Sequence, residues 1–139
     1  MELSTLVGKR LALIFPGQGS QHVGMGQRIH EVSSAARRIF NQADEILRFP
    51  LSQLCFKGPA DELADTFNAQ PAILTVSLAY LEALRERLRE LGHTIQPAFV
   101  AGHSLGEFTA LVAAGVLSFE DALALVRERG RLMKESGQE

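Results

Sequence analysis

Apolar and polar positions change period several times along the chain. Leu11 to Phe15 is an unbroken apolar run that stops at Pro16-Gly17. Such a run predicts a short strand covered on both faces, the kind found in parallel sheets. A glycine-rich stretch from Gly17 to Gly26 follows. Beyond it Val32, Ala36, Ile39, Phe40, Ala43, Ile46 and Leu47 recur at helical spacing, and Pro50 ends the pattern. A short helix is expected over Asp61 to Thr66. A longer one is expected to open at Asn68-Ala69-Gln70-Pro71, because proline in the first turn forfeits no helical bond. Its apolar face would carry Ile73, Val76, Tyr80, Leu84 and Leu88, and Gly92 would stop it. Ala98 to Ala101 reads as a second short strand, leading into Gly102-His103-Ser104-Leu105-Gly106. The small residues among Phe108 to Ala114 predict a helix packed closely on a sheet and ended by Gly115. Ser118 is placed to cap a last helix, with Asp121 three residues on.

This alternation of strands and helices indicates an α/β fold with a parallel sheet. Two strands are fewer than a sheet of ordinary size needs. The pattern reaches Glu139 without closing the architecture, so residues 1–139 are expected to be part of one domain.

Composition narrows the function classes. The formal net charge is −2 and no basic block with interleaved aromatics occurs, which argues against nucleic acid as a partner. Met1 to Arg10 lacks an apolar signal core, and no run of about 18 apolar residues exists to span a membrane. A cytoplasmic protein with no membrane partner is the expectation. The single cysteine, Cys55, excludes a disulfide within the chain and a multi-cysteine zinc site. Flanked by Leu54 and Phe56, it reads as a small buried apolar residue.

The sharpest chemical feature is Gly102-His103-Ser104-Leu105-Gly106, a G-x-S-x-G placed between a strand and a helix. A tight turn there would push the Ser104 hydroxyl out toward a substrate. Gly102 and Gly106 would let the turn form without side-chain clashes. The Leu105 N–H, at the helix start, would point where an oxyanion develops. A second loop, Phe15-Pro16-Gly17-Gln18-Gly19-Ser20-Gln21, also follows a strand. It is neither a dinucleotide fingerprint nor a P-loop. It is either a structural turn or a loop supplying a second oxyanion N–H. Third, Arg129 falls on an apolar stripe with Phe119, Ala122, Val126 and Met133, whereas Arg127, Glu128, Arg131 and Lys134 lie off it. A buried arginine needs an anion, and its planar fork suits a carboxylate. A snorkelling side chain or an internal salt bridge would satisfy the same position. None of the four histidines (His22, His30, His93 and His103) stands out as a base, and no metal-ligand spacing occurs.

Taken in order, the Phe15–Gln21 loop, Gln70-Pro71-Ala72, Gly102–Glu107 and Arg129-Gly130 resemble the malonyl-CoA:acyl-carrier-protein transacylases. The resemblance runs from about Leu11 to Glu139. It implies the N-terminal part of an α/β-hydrolase-like acyltransferase domain, stopping before a ferredoxin-like subdomain. It implies transfer of a malonyl group from malonyl-CoA to the phosphopantetheine thiol of acyl carrier protein, in fatty acid biosynthesis, through a malonyl ester on Ser104. The Gln18 and Leu105 N–H groups would form the oxyanion hole and Arg129 would bind the malonyl carboxylate. His103, Gly17, Gly19, Gly102 and Gly106 would lie near the site. No metal or redox cofactor is implied. The family's catalytic histidine would fall beyond Glu139, so residues 1–139 alone are expected to be inactive, with a complementary C-terminal chain as a further partner.

Three other readings compete. An esterase or lipase would share the elbow but has no use for Arg129. An acyltransferase serving a polyketide synthase is a second, expected to be free-standing because only about ten residues precede the first strand. A non-catalytic fragment would act only by pairing with a second chain. Arg85, Arg87, Arg89, Arg127 and Arg131 would be solvated surface charge, or else a surface for an acidic carrier.

Overall fold

The structure is a computed structural model that describes residues 8–137. Met1–Val7, part of the segment read above as lacking a signal core, lie outside the described residues, as do Gln138 and Glu139 at the end of the pattern. The elements run β1 (Ala12–Phe15), α1 (Gln27–Val32), α2 (Ser34–Leu47), α3 (Leu51–Lys57), α4 (Ala60–Ala64), α5 (Thr66–Glu90), β2 (Phe99–Gly102), α6 (Gly106–Ala113) and α7 (Phe119–Ser136). The two strands pair in parallel, with Ala12 opposite Phe99 and Phe15 opposite Gly102. A parallel pair cannot close through a hairpin, so the five helices between the strands form the crossover. The α/β expectation holds. No helix among the described residues is long and apolar enough to cross a membrane.

The core gathers around α5, which packs against α2, α6 and α7. Phe40, Leu51, Leu63, Leu74, Leu105, Leu123 and Val126 are fully buried. Each such side chain contributes about 1.5–3 kcal/mol when removed from water. Cys55 is also buried, and burial, helped by the Asp44 carboxylate, pushes its thiol up to about 12. It is a packing residue that forms no thiolate at neutral pH.

Several expectations need correction. The longer helix does not open at Pro71. It starts at Thr66, where the Asp65 carboxylate accepts from the Phe67 N–H at 3.0 Å, so Pro71 lies inside it. The short helix before it therefore ends at Ala64, not Thr66. Asp65 is the better start signal because its side chain satisfies an orphan N–H, which Pro71 cannot do. Nor does α5 present a single stripe. Residues 69–76 are all buried, because neighbours press on it from several sides, while Tyr80 is half exposed. Val32 belongs to α1 and is exposed, since Ser33 interrupts the helix and caps α2 through the Ala36 N–H at 3.1 Å. Helix α3 follows Pro50 directly, with Leu51, Leu54 and Cys55 on its buried face.

The strands are not covered on both faces. Leu13 is partly covered and Phe15 buried, but Ile14 is 78% exposed and Phe99 65%. A continuous apolar run prepares a strand for two covers, and the described residues supply only one.

Candidate active site

Parallel pairing puts the carboxyl ends of β1 and β2 side by side, so the loops leaving them start from one edge. The His103 N–H donates to the Phe15 carbonyl at 3.2 Å, one step past the paired strands. The chain then reverses sharply at Ser104, whose φ is +54°. That left-handed conformation costs a non-glycine residue about 1–2 kcal/mol. The turn is closed by the Gly106 N–H on the His103 carbonyl (2.9 Å) and the Glu107 N–H on the Ser104 carbonyl (3.2 Å). Ser104 is exposed, whereas the Leu105 side chain beside it is wholly buried and anchors the turn.

The motif's glycines are required by contact. A Cβ on Gly102 would sit 1.9 Å from the Gly106 carbonyl carbon, and one on Gly106 would sit 2.3 Å from the Phe15 carbonyl oxygen. A Cβ on Gly17 would meet the His103 carbonyl oxygen at 2.6 Å, so the two loops touch backbone to backbone. Gly102→Ala is accordingly expected to cost the intact protein about 2–4 kcal/mol, read from denaturant melts, because backbone must move to admit the methyl group. An unchanged midpoint would show that the elbow is looser than this packing implies. Gly19, whose φ is +103°, has open space around its Cβ position and serves the loop through conformation alone. That loop is tied by Ser20 Oγ on the Gly17 carbonyl (2.9 Å) and by the Gly19 N–H on Gln21 Oε1 (2.8 Å).

Arg129 reaches the elbow from α7. Ser118 caps that helix as expected, accepting from the Asp121 N–H at 3.0 Å. Ala122 and Val126 are buried on the predicted stripe, which fades at Met133, 44% exposed. At Gly130 the helix comes so close to the start of α5 that a Cβ would lie 2.7 Å from the Thr66 carbonyl oxygen. Lys134 pairs with Asp65 one turn further on. This approach lets Arg129 bridge two elements. Its Nη2 donates to Ser104 Oγ at 3.0 Å, and its Nη1 to Gln70 Oε1 at 2.6 Å. Gln70 is fully buried, and its Nε2 donates to Thr66 Oγ1 at 2.9 Å. Thr66 in turn donates to Gln18 Oε1 at 2.9 Å. A groove of about 650 Å³ opens beside Arg129, walled by Phe108, Leu125, Leu132 and Met133.

Thus Ser104, Arg129 and the Gln18 loop, far apart in sequence, meet at one place. Gln70 and Thr66 join them, although the sequence pattern assigns neither a role. The available signal was a glutamine at an otherwise apolar helical position, beside Pro71. Among the described residues no acceptor takes the N–H of Gln18 or Leu105, and no histidine hydrogen-bonds to Ser104. His103 lies against Gly17 while Ser104 faces Arg129. His30 packs on the Phe40 and Phe56 rings. No group of metal-ligating side chains occurs among the described residues. Nor is Arg127 a solvated charge: it is half buried with its guanidinium 3.6 Å from the Phe67 ring centre, and burial depresses its pKa. Arg85, Arg87 and Arg131 are paired with glutamates one turn away.

The family model described as acyl transferase domain matches residues 12–139. The chain belongs to the acyl transferase family. It is 54% identical over 127 residues to the malonyl CoA-acyl carrier protein transacylase of Bacillus subtilis (strain 168), covering 91% of this chain and 38% of that protein. The crystal structure of acyl-carrier-protein-S-malonyltransferase from Bartonella henselae superposes with a TM-score of 0.82 at 45% identity, over 91% of this chain and 40% of that one. A malonyl-transacylase solved in complex with a type II PKS acyl-carrier protein gives a TM-score of 0.80 at 39% identity, again over 91% and 40%. The chain therefore spans about 40% of the length of the acyl transferases it matches. The resemblance seen in the four motifs is borne out at the level of the family.

Proposed function

We propose that this chain carries the nucleophile and the carboxylate clamp of a malonyl-CoA:acyl-carrier-protein transacylase. The observation that carries the reading is the 3.0 Å bond between Arg129 Nη2 and Ser104 Oγ. A fixed positive charge beside the nucleophile disfavours a neutral acyl group, which would desolvate the guanidinium and give it nothing. A malonyl thioester has its carboxylate one methylene away from the reacting carbonyl. With that carbonyl carbon at Ser104 Oγ, the carboxylate falls within reach of the Arg129 fork.

In the first half-reaction Ser104 Oγ attacks the thioester carbonyl, the carbon–sulfur bond breaks, and the serine proton leaves with the CoA thiol. The negative charge developing on the carbonyl oxygen meets the Gln18 and Leu105 N–H groups, which have no acceptor among the described residues. In the second half-reaction the phosphopantetheine thiol of acyl carrier protein attacks the malonyl ester. Its proton returns to Ser104 as the ester bond breaks. No metal or redox cofactor takes part in these steps. The groove beside Arg129 offers an apolar wall for the thioester arm. The base that moves the proton is assigned to chain beyond Glu139 or to a complementary C-terminal chain, which would also cover the bare strand face.

The test is to incubate the intact protein with malonyl-CoA or acetyl-CoA, quench in acid and map peptides by mass. The expected result is a malonyl ester on the peptide containing Ser104, with far less acetyl ester. Absence of a malonyl adduct, or equal labelling by both donors, sinks the reading. The carrier can serve fatty acid synthesis or a polyketide synthase. Fatty acid synthesis is the reading proposed here, and the polyketide carrier is its alternative, one relative having been solved in complex with a type II PKS acyl-carrier protein. Transfer assayed with both kinds of carrier separates the two.

A further inference from the structure

Arg129 has only donors, and that fixes the orientation of the Gln70 amide behind it. Its Nη1 lies 2.6 Å from Gln70, so the Gln70 oxygen must face Arg129 and the amide nitrogen must face Thr66. The Thr66 hydroxyl then accepts from Gln70 and has its one proton left for Gln18 Oε1, 2.9 Å away. Turning the Gln70 amide around would set its NH2 against the Arg129 guanidinium, donor against donor. Gln70 is fully buried, so solvent cannot replace a lost partner. The Gln18 side chain is held by this relay in the same loop whose N–H faces the developing oxyanion.

We infer that Gln70 and Thr66 are positioning residues for acyl transfer. Gln70 sets the angle of the Arg129 clamp and so the preference for an acyl group bearing a carboxylate. Thr66 passes that register to the Gln18 loop. The inference rests on the malonyl-transfer reading and goes beyond it, by placing selectivity partly in two residues that touch no substrate.

The experiment uses the full-length protein with Gln70→Leu, Thr66→Val and Thr66→Ser, assayed for transfer from malonyl-CoA and acetyl-CoA. A neutral fluorophosphonate that labels Ser104 serves as an independent probe of the oxyanion loop. For Gln70→Leu the malonyl KM is expected to rise about tenfold or more, the size of a lost bond to a charged group, and the acetyl KM far less. Gln70→Glu, which keeps the shape but neutralises Arg129, shows the same split and replaces the leucine variant if that fails to fold. Thr66→Val is expected to lower kcat for both donors and slow fluorophosphonate labelling, and Thr66→Ser, which keeps the hydroxyl, to restore both. Equal losses for malonyl and acetyl in the Gln70 variants would mark a packing role and overturn the inference. So would valine and serine behaving alike at Thr66. If the wild-type protein transfers no malonyl, the functional reading falls and this inference with it. If wild type transfers and the variants keep its selectivity, only this inference falls.

Discussion

Ser104→Ala is expected to reduce malonyl transfer by about four to six orders of magnitude, the loss typical when a covalent nucleophile is removed. No acyl-enzyme should accumulate, while malonyl-CoA binding through Arg129 should persist. The geometry makes the loss specific to the hydroxyl. Ser104 stands exposed at a turn built by backbone contacts among Gly102, Gly106 and Phe15, none of which involves its side chain. The alanine variant should therefore keep the elbow. A second substitution tests whether the strain belongs to the function. At φ +54° a glycine is comfortable and a serine is not. Ser104→Gly is expected to be equally inactive yet more stable than wild type, by about 1 kcal/mol in denaturant melts. A glycine variant no more stable than the alanine variant would show that the elbow stores no strain at this residue.

The parts legible in sequence are those set by local rules. The elbow could be read because strand, turn and helix are consecutive and G-x-S-x-G has one steric meaning there. The Ser118 cap and the Gly115 stop are local in the same sense. Arg129 could be singled out because a charge on an apolar stripe breaks a pattern. What it touches could not, since Gln70 lies 59 residues away and meets it only because Gly130 lets α7 approach the start of α5. The start of α5 escapes the local pattern for a related reason. Pro71 is a conspicuous local signal, but Asp65 sets the start because its carboxylate both caps the helix and pairs with Lys134, whose hydrogen bond holds that carboxyl below its usual pKa.

The strands show the opposite case, a local signal that was sound and a structure that answers only half of it. Ile14 and Phe99 are apolar because the sequence provides for two covers, yet the described residues pack on one side. An acyl transferase chain spanning about 40% of its relatives' length meets this pattern without contradiction.

Arg129→Ala is expected to lower kcat/KM for malonyl transfer about a hundredfold or more, since a paired charge-assisted contact to a carboxylate is lost. Transfer of acetyl should fall much less, so that the malonyl-to-acetyl ratio collapses. The two donors share the elbow, the nucleophile and the CoA arm, and they differ only in the carboxylate. Their ratio therefore isolates the clamp from any general damage. Arg129→Lys should recover only part of the loss, because an ammonium can neither present two parallel donors nor hold Gln70 and the substrate together. The alanine variant should also be less stable by about 1–3 kcal/mol, because the buried Gln70 oxygen loses its partner. Adding Gln70→Leu to Arg129→Ala removes that orphaned group, so the double variant should cost less than the sum of the singles. If instead malonyl and acetyl transfer fall together, the 3.0 Å bond to Ser104 is the part that matters. Arg129 would then act by orienting the nucleophile, and the choice of acyl group would have to come from elsewhere in the protein.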